Sequence, residues 1–295
     1  MSFKEYKLSS KISEAISAIQ LASKMSEDFY GEPITVAYSG GKDSDVLLHL
    51  CLSSNVRFKV SHSLTTVDAP QTVHHVKQAF SKLKSDGIDC QISNPTYKEN
   101  RISMWELIPM KLLPPTRLMR YCCDVLKEHS TPNMFILTGI RGGESLKRKQ
   151  RKMFEIRGSK IDSKISHNFQ HVDEVYSDSK KYPEVYDCKY ISKLKQKADA
   201  ICNPIINWTD LDIWQYIRWY NVPYCELYDM GYKRCGCVGC PMASVKQRLK
   251  EFRDFPKYEL NYKKAFERML QARKSKQLET KWKSADEVFD WWVGQ

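Results

Sequence analysis

Long apolar runs are missing from this sequence. None of its 295 residues lies in a stretch approaching the roughly 20 apolar positions of a membrane-spanning helix, so a membrane-embedded chain is not expected. The opening residues Met1-Ser2-Phe3-Lys4-Glu5-Tyr6-Lys7 lack the apolar centre of a secretory signal, and the expected compartment is the cytoplasm. No segment repeats, which excludes solenoid and propeller architectures. No cysteine follows Cys240. Without an export signal, the ten cysteines that are present argue against a disulfide framework and for thiols used as ligands or nucleophiles.

What the chain does have is enough apolar content, 42%, to bury a sizeable core. Its 47 Lys and Arg against 35 Asp and Glu leave a net charge of +12. That balance suits an anionic partner, whether a nucleotide or a nucleic acid.

The most informative stretch is Tyr38-Ser39-Gly40-Gly41-Lys42-Asp43-Ser44. It follows the strand-like run Ile34-Thr35-Val36-Ala37-Tyr38 and precedes a buried helix predicted over 45–52. Gly40 and Gly41 let backbone N–H groups approach an anion, and the helix N-terminus adds partial positive charge. A Walker A loop would need Gly where this chain has Val36, and Ser or Thr where it has Asp43.

Helical spacing of Ile12, Ala15, Ile16, Ile19 and Ala22 predicts a helix before the first strand. Further strands are predicted over 58–64, 89–93 and 134–139, alternating with helices over 70–83 and 124–129. The alternation implies an α/β fold with a doubly wound parallel sheet. Ligands bind such sheets at the carboxyl ends of strands, where residues 39–44, 65–68 and 139–141 all fall. From about 141 to 202 periodicity fades, and the expectation is a polar insertion or active-site loop. Helices return over 210–220, 245–252, 258–273 and 285–292. The expected organisation is a nucleotide-binding α/β domain over 1–243 and a helical extension over 244–295, so that the C-terminal part as a whole is helical and cysteine-rich; the aromatic residues of its helices either cap the core or form a homodimer contact, the core being preferred.

Residues 39–44 match the SGGxDS loop of the adenine nucleotide alpha-hydrolase superfamily, which includes ATP pyrophosphatases and tRNA thiolation enzymes. Two more segments narrow the resemblance: Gly139-Ile140-Arg141-Gly142-Gly143-Glu144-Ser145, and Asn203-Pro204-Ile205-Ile206-Asn207-Trp208 continuing through Asp212 to Trp214. With Thr65, Thr66, Asp68 and Pro70, they resemble the phosphoadenosine phosphosulfate (PAPS) reductase family in order from Ile34 to Met242. The resemblance implies a Rossmann-like fold and an adenine nucleotide, PAPS or ATP, bound by Ser39, Gly40, Gly41, Lys42, Asp43, Ser44, Asp68, Gly139 and Arg141. Lys42, Asp43 and Arg141 are the expected catalytic group, with Asp43 helping to hold Mg²⁺ if the substrate is ATP. The basic run from Lys147 to Lys152 is read as a solvated surface, with nucleotide guidance or nucleic-acid contact as its functional alternatives.

Cys122-Cys123 and the Cys237-Val238-Gly239-Cys240 turn have the soft-ligand spacing used by zinc or iron–sulfur clusters. The set resembles that of 4Fe-4S adenylylsulfate reductases and of the iron–sulfur sulfurtransferase branch of DNA phosphorothioation systems. By that resemblance Cys123, Cys237 and Cys240 are ligands, and the fourth is Cys122 or Cys225. Reductases of this family carry a nucleophilic cysteine in a C-terminal tail that has no counterpart after Cys240, so Cys188 or Cys202 is considered as a replacement. Three readings follow: a PAPS reductase-like enzyme working with a thiol reductant; an ATP-dependent sulfurtransferase acting on nucleic acid with a sulfur-donor protein; and a zinc-stabilised, non-catalytic nucleic-acid-binding module.

Overall fold

The computed structural model describes residues 3–128, 134–157, 188–196 and 198–294. A buried strand β1 (Ile34–Ala37) stands at the middle of a six-stranded sheet. It pairs in parallel with β2 (Phe58–Ser63) on one side and β6 (Phe135–Thr138) on the other. Outside β2 lies β3 (Cys90–Ser93), and beyond β6 lie β8 (Ala200–Cys202) and then β7 (Phe154–Ile156). The β6–β8 pair is parallel, whereas β7 runs antiparallel to β8 at the sheet edge. This is the doubly wound, mostly parallel sheet expected from the sequence. Chain progress reverses between β1 and β6, which makes their carboxyl ends the switch point at which such sheets bind ligands.

The chain divides into two compact units. The first comprises Met1–His62, His75–Gln91 and Thr131–Tyr228. Its core is Ile34 and Val36 of β1, Phe135 and Leu137 of β6, and Val46, Leu47 and Leu50 of α2 (Lys42–Ser53), joined by Ala15, Ile19 and Ala22 of α1 (Phe3–Tyr30). The apolar periodicity seen at 12–22 therefore marks the buried stripe of a longer helix. α8 (Asp210–Tyr220) starts at a reciprocal cap, where Thr209 Oγ1 accepts from Asp212 N at 3.2 Å and Asp212 Oδ2 accepts from Thr209 N at 2.6 Å.

The second unit comprises Ser63–His74, Ile92–Ser130 and Asp229–Gln295. The expected boundary after residue 243 falls inside it, because α9 (Val245–Asp254), α10 (Pro256–Ser275) and α11 (Ala285–Val293) share one unit with the cysteine-bearing segments. The α10–α11 aromatics pack internally: Tyr262, Phe266 and Trp292 are all at most 1% exposed, and their rings meet with centroids 4.6 to 6.0 Å apart. This agrees with the core reading of those side chains.

Two expectations change. The polar stretch from 141 to 202 ends in β8 and contains β7, so both flanks of the supposed insertion build the sheet. Each strand is three residues long, too short for any alternation to register. The helix expected at 124–129 begins earlier, as α5 (Tyr121–Cys123), and widens into a π-helical turn over Asp124–Glu128; residue 129 lies outside the described residues. Also unforeseen were α4 (Met104–Lys111) and the small hairpin of β4 (Thr96–Tyr97) and β5 (Asn100–Arg101). Among the described residues, no helix is long and apolar enough to cross a membrane.

Candidate functional site

In the first unit, the turn after β1 and the turn after β6 meet. Gly40 takes φ +75°, a left-handed conformation that glycine adopts without strain, and releases the chain into α2. Inside the loop, Ser44 Oγ donates to Gly41 O at 2.7 Å and lies 3.1 Å from Ser39 Oγ. Gly139 is needed for the approach: a Cβ there would stand 3.1 Å from the backbone of Asp43 and Ser44.

Four charged side chains close the site. Arg141 Nε donates to Asp43 Oδ1 at 2.7 Å, and its Nη2 donates to Asp210 Oδ1 at 3.0 Å. Lys42 Nζ reaches the same Asp210 oxygen at 3.0 Å and Asp43 Oδ2 at 3.3 Å. Both cations are buried, Lys42 to 4% and Arg141 to 5% exposure. These two buried cations, at the ends of two parallel strands, are paired with two carboxylates. Burial works against the charged form of Asp210, but hydrogen bonding and charge from Lys42 and Arg141 outweigh it and hold its carboxyl below the usual range. The Lys42 amide donates to Tyr228 Oη at 3.0 Å, so an aromatic hydroxyl pins the first residue of α2.

Of the residues expected to bind nucleotide, 39–44, Gly139 and Arg141 thus come together in the first unit. Asp68 belongs to the second unit, where its Oδ2 accepts from Thr65 N at 2.7 Å. Sequence reasoning missed Asp210 and Tyr228. For Asp210 a signal existed, an extra acid directly after the capping Thr209; Tyr228 offered none. Asp212, the acid in the motif, instead caps α8 and accepts from Lys11 Nζ at 2.5 Å.

Cys122, Cys123, Cys237 and Cys240 all lie in the second unit, and all are free thiols. A hydrogen bond from Cys122, aided by Arg120, draws the Cys123 thiol down to about 5, and the same bond together with burial pushes Cys122 up. Arg120 Nη2 donates to Cys123 Sγ at 3.4 Å, and Cys237 Sγ sits 3.4 Å from Thr65 Oγ1. The charge of Cys237 raises the Lys127 ammonium above its ordinary value. These cations offset the charge that clustered thiolates would accumulate.

The Cys237–Cys240 turn is fastened on both sides. Val238 N donates to Val67 O at 2.8 Å, Tyr262 Oη donates to Val238 O at 2.9 Å, and Gly239 N donates to Glu251 Oε2 at 2.8 Å. Arg117 donates to Pro241 O at 3.0 Å and to Ala243 O at 3.2 Å. Among the described residues, no three His, Cys, Asp or Glu side chains are arranged to bind a single metal ion. By residue type, four cysteines are the number and kind of donor that a four-iron cluster would take, one per iron.

Of the other cysteines, the half-buried Cys235 also lies in the second unit. Cys225 is in the first unit, fully buried, and its charge acts on His75. Cys202 is a fully buried strand residue, which removes it as a nucleophile open to substrate. Cys188 begins α7 (Cys188–Lys195), and its side chain lies outside the described residues. Cys51 and Cys90 are buried, as expected of packing residues.

Known proteins share this arrangement of sequence. The Phosphoadenosine phosphosulfate reductase domain matches residues 33–243, well over half of the chain. An uncharacterized protein of Methanocaldococcus jannaschii is 25% identical over 236 residues, covering 77% of this chain but only 40% of that protein. The adenosine 5'-phosphosulfate reductase of Bacillus cytotoxicus is 26% identical over 226 residues, covering 72% of this chain and 75% of the reductase. Among solved structures, the PAPS reductase from Candida auris in its phosphate complex aligns over 80% of this chain and 97% of its own, with a TM-score of 0.45 and 15% identity. Because the domain match runs from the residue before β1 through the whole cysteine turn, the chain belongs to the phosphoadenosine phosphosulfate reductase family.

Proposed function

We propose that this protein is an enzyme that binds an adenine nucleotide, PAPS or ATP, on residues 39–44 and couples it to sulfur chemistry at a cysteine-held 4Fe-4S cluster. One observation carries the nucleotide half: two buried cations, Lys42 and Arg141, converge beside a glycine loop and the start of a helix. An incoming phosphate or sulfate oxygen displaces Asp210 from both, exchanging one anionic partner for another. Arg141 then presents a planar fork to the group being transferred, while Lys42 acts as a point charge. Asp43, held by Arg141, would help to hold Mg²⁺ when ATP is the substrate.

Cys122, Cys123, Cys237 and Cys240 are the residues that would hold the cluster: all four lie in the second unit, and Cys123, Cys237 and Cys240 all act electrostatically on Cys122. A bound cluster would supply electron transfer or a site for sulfur. Arg120 favours the thiolate of Cys123, and the pinned 237–240 turn keeps two ligands at fixed spacing.

A second reading, an ATP-dependent sulfurtransferase acting on nucleic acid, is favoured by the exposed Lys147 and Lys149 close after Arg141, together with the net charge of +12. Anaerobically purified protein separates the possibilities. Thiol-dependent sulfite release from PAPS identifies a reductase, and pyrophosphate release from ATP identifies a sulfurtransferase. Colourless protein with stoichiometric zinc would eliminate the cluster, and absence of both activities would eliminate the enzyme.

A further inference from the structure

The backbone N–H of Lys42 is the first of α2, and an N–H at that position has no partner within its own helix. Such amides, with the partial positive charge of the helix end, are what a glycine loop offers to an anion. Here the amide is taken, because it donates to Tyr228 Oη at 3.0 Å. Tyr228 ends the short 3₁₀ turn Glu226–Tyr228, in the same unit as the loop. Its ring packs edge-on against Trp214, with centroids 5.3 Å apart at 88°, and against Tyr224 at 6.3 Å and 65°. Lys42 Nζ lies 5.6 Å from the centroid of the same ring.

Trp214 stands one turn after Asp210 on α8, on the same helix face. That face thus sends a carboxylate to the two buried cations and backs the hydroxyl that covers the amide. The base of the loop is fixed from the other side. Tyr38 Oη, just before the loop, donates to Asp45 Oδ1 at 2.5 Å, and His75 Nε2 of α3 (Pro70–Ser85) lies 2.8 Å from the same oxygen, all three residues being buried. An anion therefore gains the Lys42 amide by displacing the Tyr228 hydroxyl, not by a shift of α2. We infer that Tyr228 gates the loop: its hydroxyl holds the place of a phosphate oxygen on the Lys42 N–H and gives it up to the ligand. The inference rests on the nucleotide-binding loop proposed above. A nucleotide offsets the displacement with contacts beyond its phosphates, whereas inorganic phosphate has no such contacts.

Tyr228→Phe keeps the ring in its packing and removes only the oxygen. With inorganic pyrophosphate as the probe, the variant of the full chain is expected to bind roughly two- to tenfold more tightly than wild type by calorimetry, the range set by one neutral hydrogen bond. A tyrosine that contacted the anion, or merely supported the loop, would give the opposite sign. Deuterium exchange at the Lys42 amide, measured without ligand, is expected to be slow in wild type and faster in Tyr228→Phe; adding pyrophosphate slows it again in the variant. Pyrophosphate binding that is unchanged or weaker in Tyr228→Phe would overturn the gate, as would equal Lys42 exchange in the two ligand-free proteins. Binding of pyrophosphate to neither protein would overturn the loop assignment and the gate together, which separates that failure from failure of the gate alone.

Discussion

Arg141 donates from Nε to Oδ1 of Asp43 across 2.7 Å, although 98 positions separate the two residues in the chain. The bond ties the turn after β6 to the turn after β1, and it uses one edge of the guanidinium while Nη2 reaches Asp210. In this arrangement the cations beside the glycine loop are balanced by carboxylates, and the binding proposed above would be an exchange of anions.

Removing either cation should therefore weaken anion binding. Charge-assisted hydrogen bonds contribute about 1.5–3 kcal/mol, so Lys42→Ala and Arg141→Ala are each expected to weaken ATP and pyrophosphate binding roughly ten- to hundredfold by calorimetry. Arg141→Lys should recover little, because lysine cannot hold Asp43 and a ligand with one planar fork. Unchanged affinity in both alanine variants would remove the loop from the binding site.

Asp210→Asn should act in the opposite direction, strengthening binding severalfold by removing a competing charge. The sign with pH follows from its lowered carboxyl pKa, in which Lys42 and Arg141 outweigh burial. The ionised form, and any stability it contributes, persists above the unfolded pKa and is lost only as pH falls through the lower folded value. Wild type and Asp210→Asn should thus differ throughout the neutral range and converge below the ordinary carboxylate range. Titrating ATP against both proteins at several pH values checks this; parallel curves down to strong acid would refute it.

Gly239 offers a test of the cysteine turn. Its φ is +74°, and a Cβ would come within 2.7 Å of Phe252 Cζ and 3.0 Å of Trp292 and Tyr262, all ring atoms of a packed core. Overpacking and backbone strain each cost about 1–3 kcal/mol, so Gly239→Ala should lose at least that in urea denaturation. Gly139→Ala, which meets backbone at 3.1 Å, should instead weaken nucleotide binding while leaving most stability intact.

The cysteines should separate by unit. Serine at Cys122, Cys123, Cys237 or Cys240 is expected to reduce iron content and visible absorbance, measured after anaerobic purification. Cys225→Ser should retain the iron and lose stability, since the added hydroxyl is buried where Cys225 is now fully enclosed. Iron lost from Cys225→Ser and kept in Cys122→Ser would reverse the ligand assignment.

Much of this architecture was legible from the sequence because its signals are local. Strands β1, β2, β3 and β6 and helices α2, α3, α8, α9, α10 and α11 follow from apolar runs, periodicity, caps and a proline at a helix start. The short strands β7 and β8 were not legible, since three residues show no alternation and their extended form is decided by the neighbouring strand. Asp210 was passed over for a similar reason: at the head of a capped helix, Asp210 and Asp212 look alike. Only packing turns one toward Lys42 and the other toward Lys11.

By itself the sequence determined the kind of site, a glycine loop between a strand and a helix, because the freedom of Gly40 and the helix N-terminus are properties of adjacent residues. It likewise determined the pool of soft ligands. Tertiary structure decided which charges share the loop, that Asp210 occupies its cations, and that Cys122, and not Cys225, shares a unit with Cys123, Cys237 and Cys240. Those outcomes depend on distances across the fold, and Coulomb and hydrogen-bond energies fall off too steeply with distance for spacing along the chain to reveal them.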